Sequence, residues 1–207
     1  MDRDRKIPEV NAGSMADIAF LLLIFFLVAT SIETDVGLDR KLPPNEASPP
    51  IEMKERNIFR VALNKNDELF VEDDIMQLSE LQTAAISFLD NGASLPDHEG
   101  YCDYCKGEKS ADSSENPDKA IISFNSDREA SYGMYVSVQN ELNAAYNSLR
   151  NRESNRLFNQ NYVDMEKAYY AAETKAADKI ALKSNIEQVR EMFPMKLIEV
   201  ETNKKAK

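Results

Sequence analysis

The residue best placed for chemistry in this 207-residue chain is Asp17. It stands directly before Ile18 to Ala29, a run reading IAFLLLIFFLVA that holds no polar residue. An ionised carboxylate deep in a bilayer costs on the order of 3 kcal/mol on insertion scales. Desolvation favours its neutral form, so an acid held there against a hydrated path is suited to taking up and releasing protons. Helical spacing sets Ser14, Asp17, Leu21, Ile24, Val28 and Ser31 along one face, with Ser14 and Ser31 extending its polar character. Phe20 and Phe26 are assigned to the opposite side, which suits lipid or a packed partner. The plainer reading is an interfacial acid that marks the start of a helix, with Ser14 as its N-cap.

The second cluster with chemical character is His98-x3-Cys102-Asp-Tyr-Cys105. Zinc normally takes four ligands, and these are the only three histidine and cysteine side chains in the sequence. Asp97, Asp103 or a second protomer would have to complete a site, so no metal is assigned. On the oxidising side of a membrane, Cys102 and Cys105 read most simply as a disulfide clip; free thiols and a metal are the alternatives. A thioredoxin-like role needs the cysteines at a helix N-terminus, and the polar stretch around them offers none. No Ser/His/Asp set, phosphate loop or pair of acids in a plausible pocket indicates an enzyme. The one histidine, His98, falls in what reads as a mobile loop, so most acid–base schemes lack their usual player. No cofactor is implied. A net charge of -11 repels phosphate backbones and excludes nucleic acid as a partner.

These residues need elements to position them. Met15 to Ile32 is 18 residues with a single charge, roughly 27 Å as a helix against the ~30 Å hydrocarbon core of a bilayer. The expected layout is a tail over 1–13, a single transmembrane helix over 14–33, a Pro-rich linker over 34–57 and a folded α+β domain over 58–202. Arg3, Arg5 and Lys6 keep the tail in the cytoplasm by the positive-inside rule, which puts the domain across the inner membrane. The competing reading is a cleaved signal peptide ending near Ala29-Thr30-Ser31, against which Asp17 and the mixed-charge tail both argue. Pro43, Pro44, Pro49 and Pro50 make the linker extended.

Within the domain, Ile58–Leu63 and Glu68–Val71 are strands joined by a turn at Asn64-Lys-Asn-Asp67. A helix follows from Leu78 to about Leu89, with Ser79 as its expected cap. A polar insert covers 91–119. Ala120–Phe124 is a buried strand, and Tyr135, Val138, Leu142, Ala145 and Leu149 mark a helix. A helical excursion over about 150–192 carries a stripe of Tyr162, Met165, Tyr169, Ala172 and Ala176, expected to pack on its own domain. Met195–Val200 closes the sheet, giving ββα-βα-β with an extra helical insertion.

The run from Asn11 through Asp17 to Val28 resembles the single transmembrane helix of the ExbD/TolR family, with Gly13-Ser14 where the family often has Thr-Pro. The resemblance implies a subunit of a proton-motive-force-driven motor in the inner membrane, with Asp17 as the proton-responsive group. It implies an ExbB/TolQ-like pentameric membrane partner, a second copy of the chain as a homodimer, and a TonB-like protein at the far end. The ββα-βα-β pattern matches the family's small periplasmic domain. The linker's Val36, Leu38, Leu42 and Pro43 sit near where family members carry a partner-contact motif, with spacing shifted by two residues, and a plain spacer is the alternative. Ser126-Asp127 before Tyr132 resembles a family element that shapes the strand-to-helix turn, a structural role for Asp127. An ExbD-like subunit is favoured over a TolR-like subunit of the Tol system. Outside the family, the alternatives are a membrane-anchored periplasmic scaffold in which Asp17 is incidental, or a secreted protein. A flagellar stator subunit is more remote, since it normally carries a larger peptidoglycan-binding domain.

Overall fold

The structure is a computed structural model that describes residues 12–29, 54–98 and 100–200. The expected positions Ser31, Val36, Leu38, Leu42 and Pro43 lie outside the described residues. The chain divides into two compact units, Met1–Asp39 and Arg40–Lys207. The described part of the first is a single helix, α1 (Ala12–Ala29).

In the second unit a single 3-10 turn over Glu55–Asn57 leads into β1 (Ile58–Leu63). Its alternating pattern puts Phe59, Val61 and Leu63 inward, and β2 (Leu69–Val71) does the same with Leu69 and Val71. The turn between them is built by Asn64, whose Oδ1 accepts from Asn66 N at 2.8 Å and Glu68 N at 2.9 Å. This side chain mimics a backbone turn, as asparagine commonly does. A further strand, β3 (Asp74–Met76), extends the hairpin and was not expected from the sequence. It is reached through Glu72 and Asp73, both left-handed at φ 49° and 73°. That pair of positive φ values is the two-residue hairpin geometry usually signalled by Asn-Gly, and neither residue here is glycine.

Helix α2 (Leu78–Leu89) starts one residue before the expected cap. Gln77 takes the cap position, and its backbone N–H donates to Glu80 Oε2 at 3.4 Å, leaving Ser79 inside the first turn. After the insert comes β4 (Ile121–Ser126) and then α3 (Tyr132–Phe158), capped by Ser131 Oγ accepting from Met134 N. Asp127 shapes the junction: its Oδ1 accepts from Glu129 N at 2.9 Å while its own N–H donates to Leu63 O at 2.8 Å. Next come α4 (Tyr162–Tyr170), α5 (Ala176–Met192) and a short closing strand, β5 (Leu197–Glu199). The sheet order is β3-β2-β1-β4-β5, antiparallel on the hairpin side and parallel across β1, β4 and β5. One face of the sheet is buried under α2 and α3, where Phe59, Ile122 and Phe124 meet Leu81, Phe88, Val138, Leu142 and Tyr146.

The excursion differs from its expected form. Helix α3 continues past Arg150 to Phe158, and three of its polar residues there, Arg150, Glu153 and Ser154, are buried and paired. Arg150 donates to Phe193 O at 2.8 Å and 3.1 Å, and Arg152 reaches both oxygens of Asp90. The expected single stripe is split between two helices. Tyr162 and Met165 form a small second core with Ile186 and Val189, and Tyr169 packs beside it. Ala172 and Ala176 are exposed, since α4 ends at Tyr170 and Thr174 folds back onto Ala168 O at 2.6 Å.

The insert is likewise not a loose loop. Asn91 donates from Nδ2 to Ser110 O at 2.9 Å and Ser114 O at 2.8 Å, and accepts from Ser110 N. The two arms pair through Ala93 N to Ser114 O and Ser94 N to Glu115 O. Cys102 and Cys105 form a buried disulfide, with Cα atoms 5.5 Å apart. Gly92 is left-handed at φ +65°, and a Cβ there would lie 2.6 Å from Cys105 Cβ, so glycine is required by both backbone and space. Between the cysteines, the Tyr104 hydroxyl donates to Met192 O at 2.8 Å and its ring packs edge-on to Phe193 at 5.4 Å. Burial first, then the nearby Asp103 and Asp118 charges, push the Tyr104 phenol up to about 12, so it stays a donor. The insert is thereby stapled to the end of α5. Because the closed loop is short, the Cys102→Ser/Cys105→Ser double variant should lose only about 2 kcal/mol in urea unfolding of the domain.

Candidate functional site

Helix α1 is 18 residues long and its only ionisable residue is Asp17. Described side chains from Met15 to Phe26 are all exposed; the large apolar ones among them range from 41% (Ile24) to 62% (Leu23, Phe25). Apolar surface on every side of a helix is the mark of one meant for a hydrocarbon or protein surround. Among the described residues no helix is long and apolar enough to cross a membrane. Side chains of Leu27–Ala29 are not described, and the rest of the expected 14–33 segment beyond Ala29 falls outside the described residues.

Asp17, Leu21 and Ile24 share one face by spacing of four and three residues, as the helical repeat requires. Ser14 and Val28 lie within the helix as backbone only, and Ser31 lies outside the described residues. Phe20 is corrected: three residues after Asp17, it flanks the acid's face, and of the two rings only Phe26 lies opposite. Phe25 and Phe26 meet edge to face with centroids 5.7 Å apart. The arrangement offers one ionisable group on α1, the Asp17 carboxylate.

Three clusters of charge in the folded unit involve a buried or part-buried acid. Asp90, Arg152, Glu153 and Arg156 form a chain along the end of α3, with Glu153 fully buried. Tyr162, Glu166 and Arg190 tie α4 to α5 through bonds of 2.6–2.8 Å. Glu115 in the insert receives Lys54 at 2.6 Å, Lys119 at 2.9 Å and Arg56. Its backbone N–H donates to the buried Asn57 Oδ1 at 2.9 Å. Among the described residues no group of three or more His, Cys, Asp or Glu side chains is placed to hold a metal ion. His98 and the two cysteines are therefore not brought together as ligands, and the cysteines are bonded to each other. Sequence reasoning did not single out Glu115, because its three cations come from positions as far apart as 54 and 119.

The described residues thus give one acid on an apolar helix and, separately, a folded α+β domain. A family model described as Biopolymer transport protein ExbD/TolR matches residues 3–153, and the chain belongs to this family. Members are non-enzymatic biopolymer-transport components, generally anchored in the inner membrane, that work with ExbB/TolQ-like membrane partners. The match takes in α1, the insert and most of the sheet; α4, α5 and β5 lie beyond it. No curated protein matches the chain.

The Glu115 cluster has a pH signature. Hydrogen bonds from Lys54, then Arg56 and Lys119, hold its carboxyl far below the usual carboxylate range. A carboxyl depressed on folding adds stability that is complete above its unfolded value, near 4.5, and drains away as pH falls below that towards the folded value. Glu115→Gln should therefore cost about 1–3 kcal/mol at pH 7, discounted for partly exposed cations, and flatten the acid limb of stability below about pH 4.5. Urea unfolding at pH 7, 5 and 3 reads both effects.

Proposed function

We propose that this chain is the ExbD-like subunit of a proton-motive-force-driven motor that passes energy from the inner membrane to TonB-dependent transport at the outer membrane. In this reading α1 is the core of a single-pass span over 14–33, with the N-terminus cytoplasmic and the domain periplasmic. The carrying observation is Asp17: the one ionisable group on a helix whose described apolar side chains, Met15 to Phe26, are exposed all round. Such a helix needs a surround, and an acid on it needs a polar path, which a multi-span partner supplies. An ExbB/TolQ-like pentamer is that partner, with a second copy of the chain beside the first.

Protonation of Asp17 removes the charge that opposes contact with hydrocarbon, and deprotonation restores it, so the helix favours different surroundings in the two states. The linker positions Val36, Leu38, Leu42 and Pro43 are the candidate contacts for partner chains, and a TonB-like protein receives the output. A periplasmic domain also accords with the Cys102–Cys105 disulfide.

Asp17→Asn keeps the shape of the side chain and removes its titration. In cells, TonB-dependent uptake should fall to about the level of a deletion strain, while the amount of protein and its co-purification with the pentamer stay at wild-type levels. Uptake that persists in the Asp17→Asn strain would sink the proton-carrier role and leave a membrane-anchored scaffold.

A further inference from the structure

Beside Glu115 lies a cavity of about 530 Å³ in the folded unit, lined by Lys54, Arg56, Lys109 and Lys119 together with Ser94 and His98. Four cations thus face a single carboxylate, in a protein whose net charge is -11. Glu115 cannot use up what surrounds it. Lys54 and Lys119 each spend one N–H on it, which leaves two on each ammonium for another acceptor. The Lys109 ammonium sits 5.8 Å from the Tyr101 ring centroid, and no hydrogen bond or ion pair among the described residues engages it.

We infer that this pocket is a binding site for a phosphate group carrying two negative charges. The inference does not depend on the motor reading above. Glu115 is itself fixed, through its backbone N–H to Asn57 and its carbonyl to Ser94 N, so it holds Lys54 and Lys119 at set positions before any ligand arrives. That is preorganisation of donors, which lowers the cost of binding.

The donor set selects the anion. A planar carboxylate is recognised best by a wholly free guanidinium fork, and here both terminal nitrogens are already engaged: Arg56 Nη1 donates to Ala111 O at 2.8 Å and Nη2 to Glu115. What remains is the lysine ammonium N–H groups and the Arg56 N–H groups not so spent, single donors that suit a tetrahedral oxyanion approached from several sides, with the Ser94 hydroxyl as a further donor. The ligand is a free phosphate ester or a lipid headgroup.

The test is calorimetric titration of the full chain in neutral detergent, at low salt, with inorganic pyrophosphate as the probe. We expect saturable binding of one equivalent. Lys109→Asn, which suits the left-handed backbone at that position (φ 56°), should weaken it at least tenfold. Lys54→Gln should do the same, and Lys65→Gln, in the β1–β2 turn outside the pocket, should leave it unchanged. A water-soluble short-chain phosphatidic acid that binds tighter than pyrophosphate and competes with it supports the site with a lipid source; weaker binding supports it with a soluble ester. Absence of saturable binding, equal weakening by Lys65→Gln, or equally tight binding of citrate would each overturn the inference.

Discussion

Strand β1 pairs with β4 in parallel over six residues, from Ile58 against Ile121 to Leu63 against Ser126. Parallel neighbours cannot be joined by a tight turn, so everything between them must leave the sheet and return. That constraint organises the domain. The first crossover holds the β2–β3 hairpin, α2 and the disulfide-clipped insert. The second, between β4 and β5, holds α3, α4 and α5. The entropic cost of closing a loop grows only with the logarithm of its length, so crossovers are where added chain is tolerated. Both segments that enlarge this domain lie there, and the sheet itself is not interrupted.

Added chain still has to be held, and here polar chemistry holds as much as apolar burial does. Asn91 organises the start of the insert, Glu115 its end, and Tyr104 its contact with Met192 and Phe193. In the second crossover, Arg150 satisfies the Phe193 carbonyl and Arg152 locks onto Asp90, while a four-residue apolar cluster around Tyr162 joins α4 to α5. Each of these buried polar groups is paired, which avoids the larger cost of leaving it unmet; among the described residues the exception is Asn125, whose Oδ1 is buried without a partner. Tyr146 shows the same economy: burial pushes its phenol up to about 12, and it stays protonated while accepting from Lys196 N at 3.3 Å.

The parts of this fold legible in the sequence are those where burial follows a period. Strands β1 and β4 alternate, α2 and the first half of α3 repeat every three to four residues, and the Asn64–Asp67 turn announces itself by composition. What escaped is where side chains act against type. The Glu72-Asp73 turn has no glycine, so β3 could not be seen. Arg150, Glu153 and Ser154 look like surface residues and are buried with partners of their own, Phe193 O, the Arg152 and Arg156 guanidinium groups and Gln160 O, which hid the second half of α3. The insert looked polar because its asparagines and serines bond the backbone rather than water. At Asp17 the type of residue and its apolar context were plain from the run Ile18–Ala29 that follows it.

The closing strand has a consequence for the order in which the fold is made. Ile122 pairs with Leu197, so the outer flank of β4 waits for a partner made some 75 residues later. Synthesis runs from the N-terminus, and by the time β4 has emerged the hairpin and β1 can already be in place beside it. The far side of β4 then presents unpaired backbone through the whole of α3, α4 and α5. Within the second crossover, α4 and α5 have their own small core and can settle while that edge is open. The nascent domain is thus a four-stranded sheet with one raw margin for most of its birth, sealed by three residues near its very end.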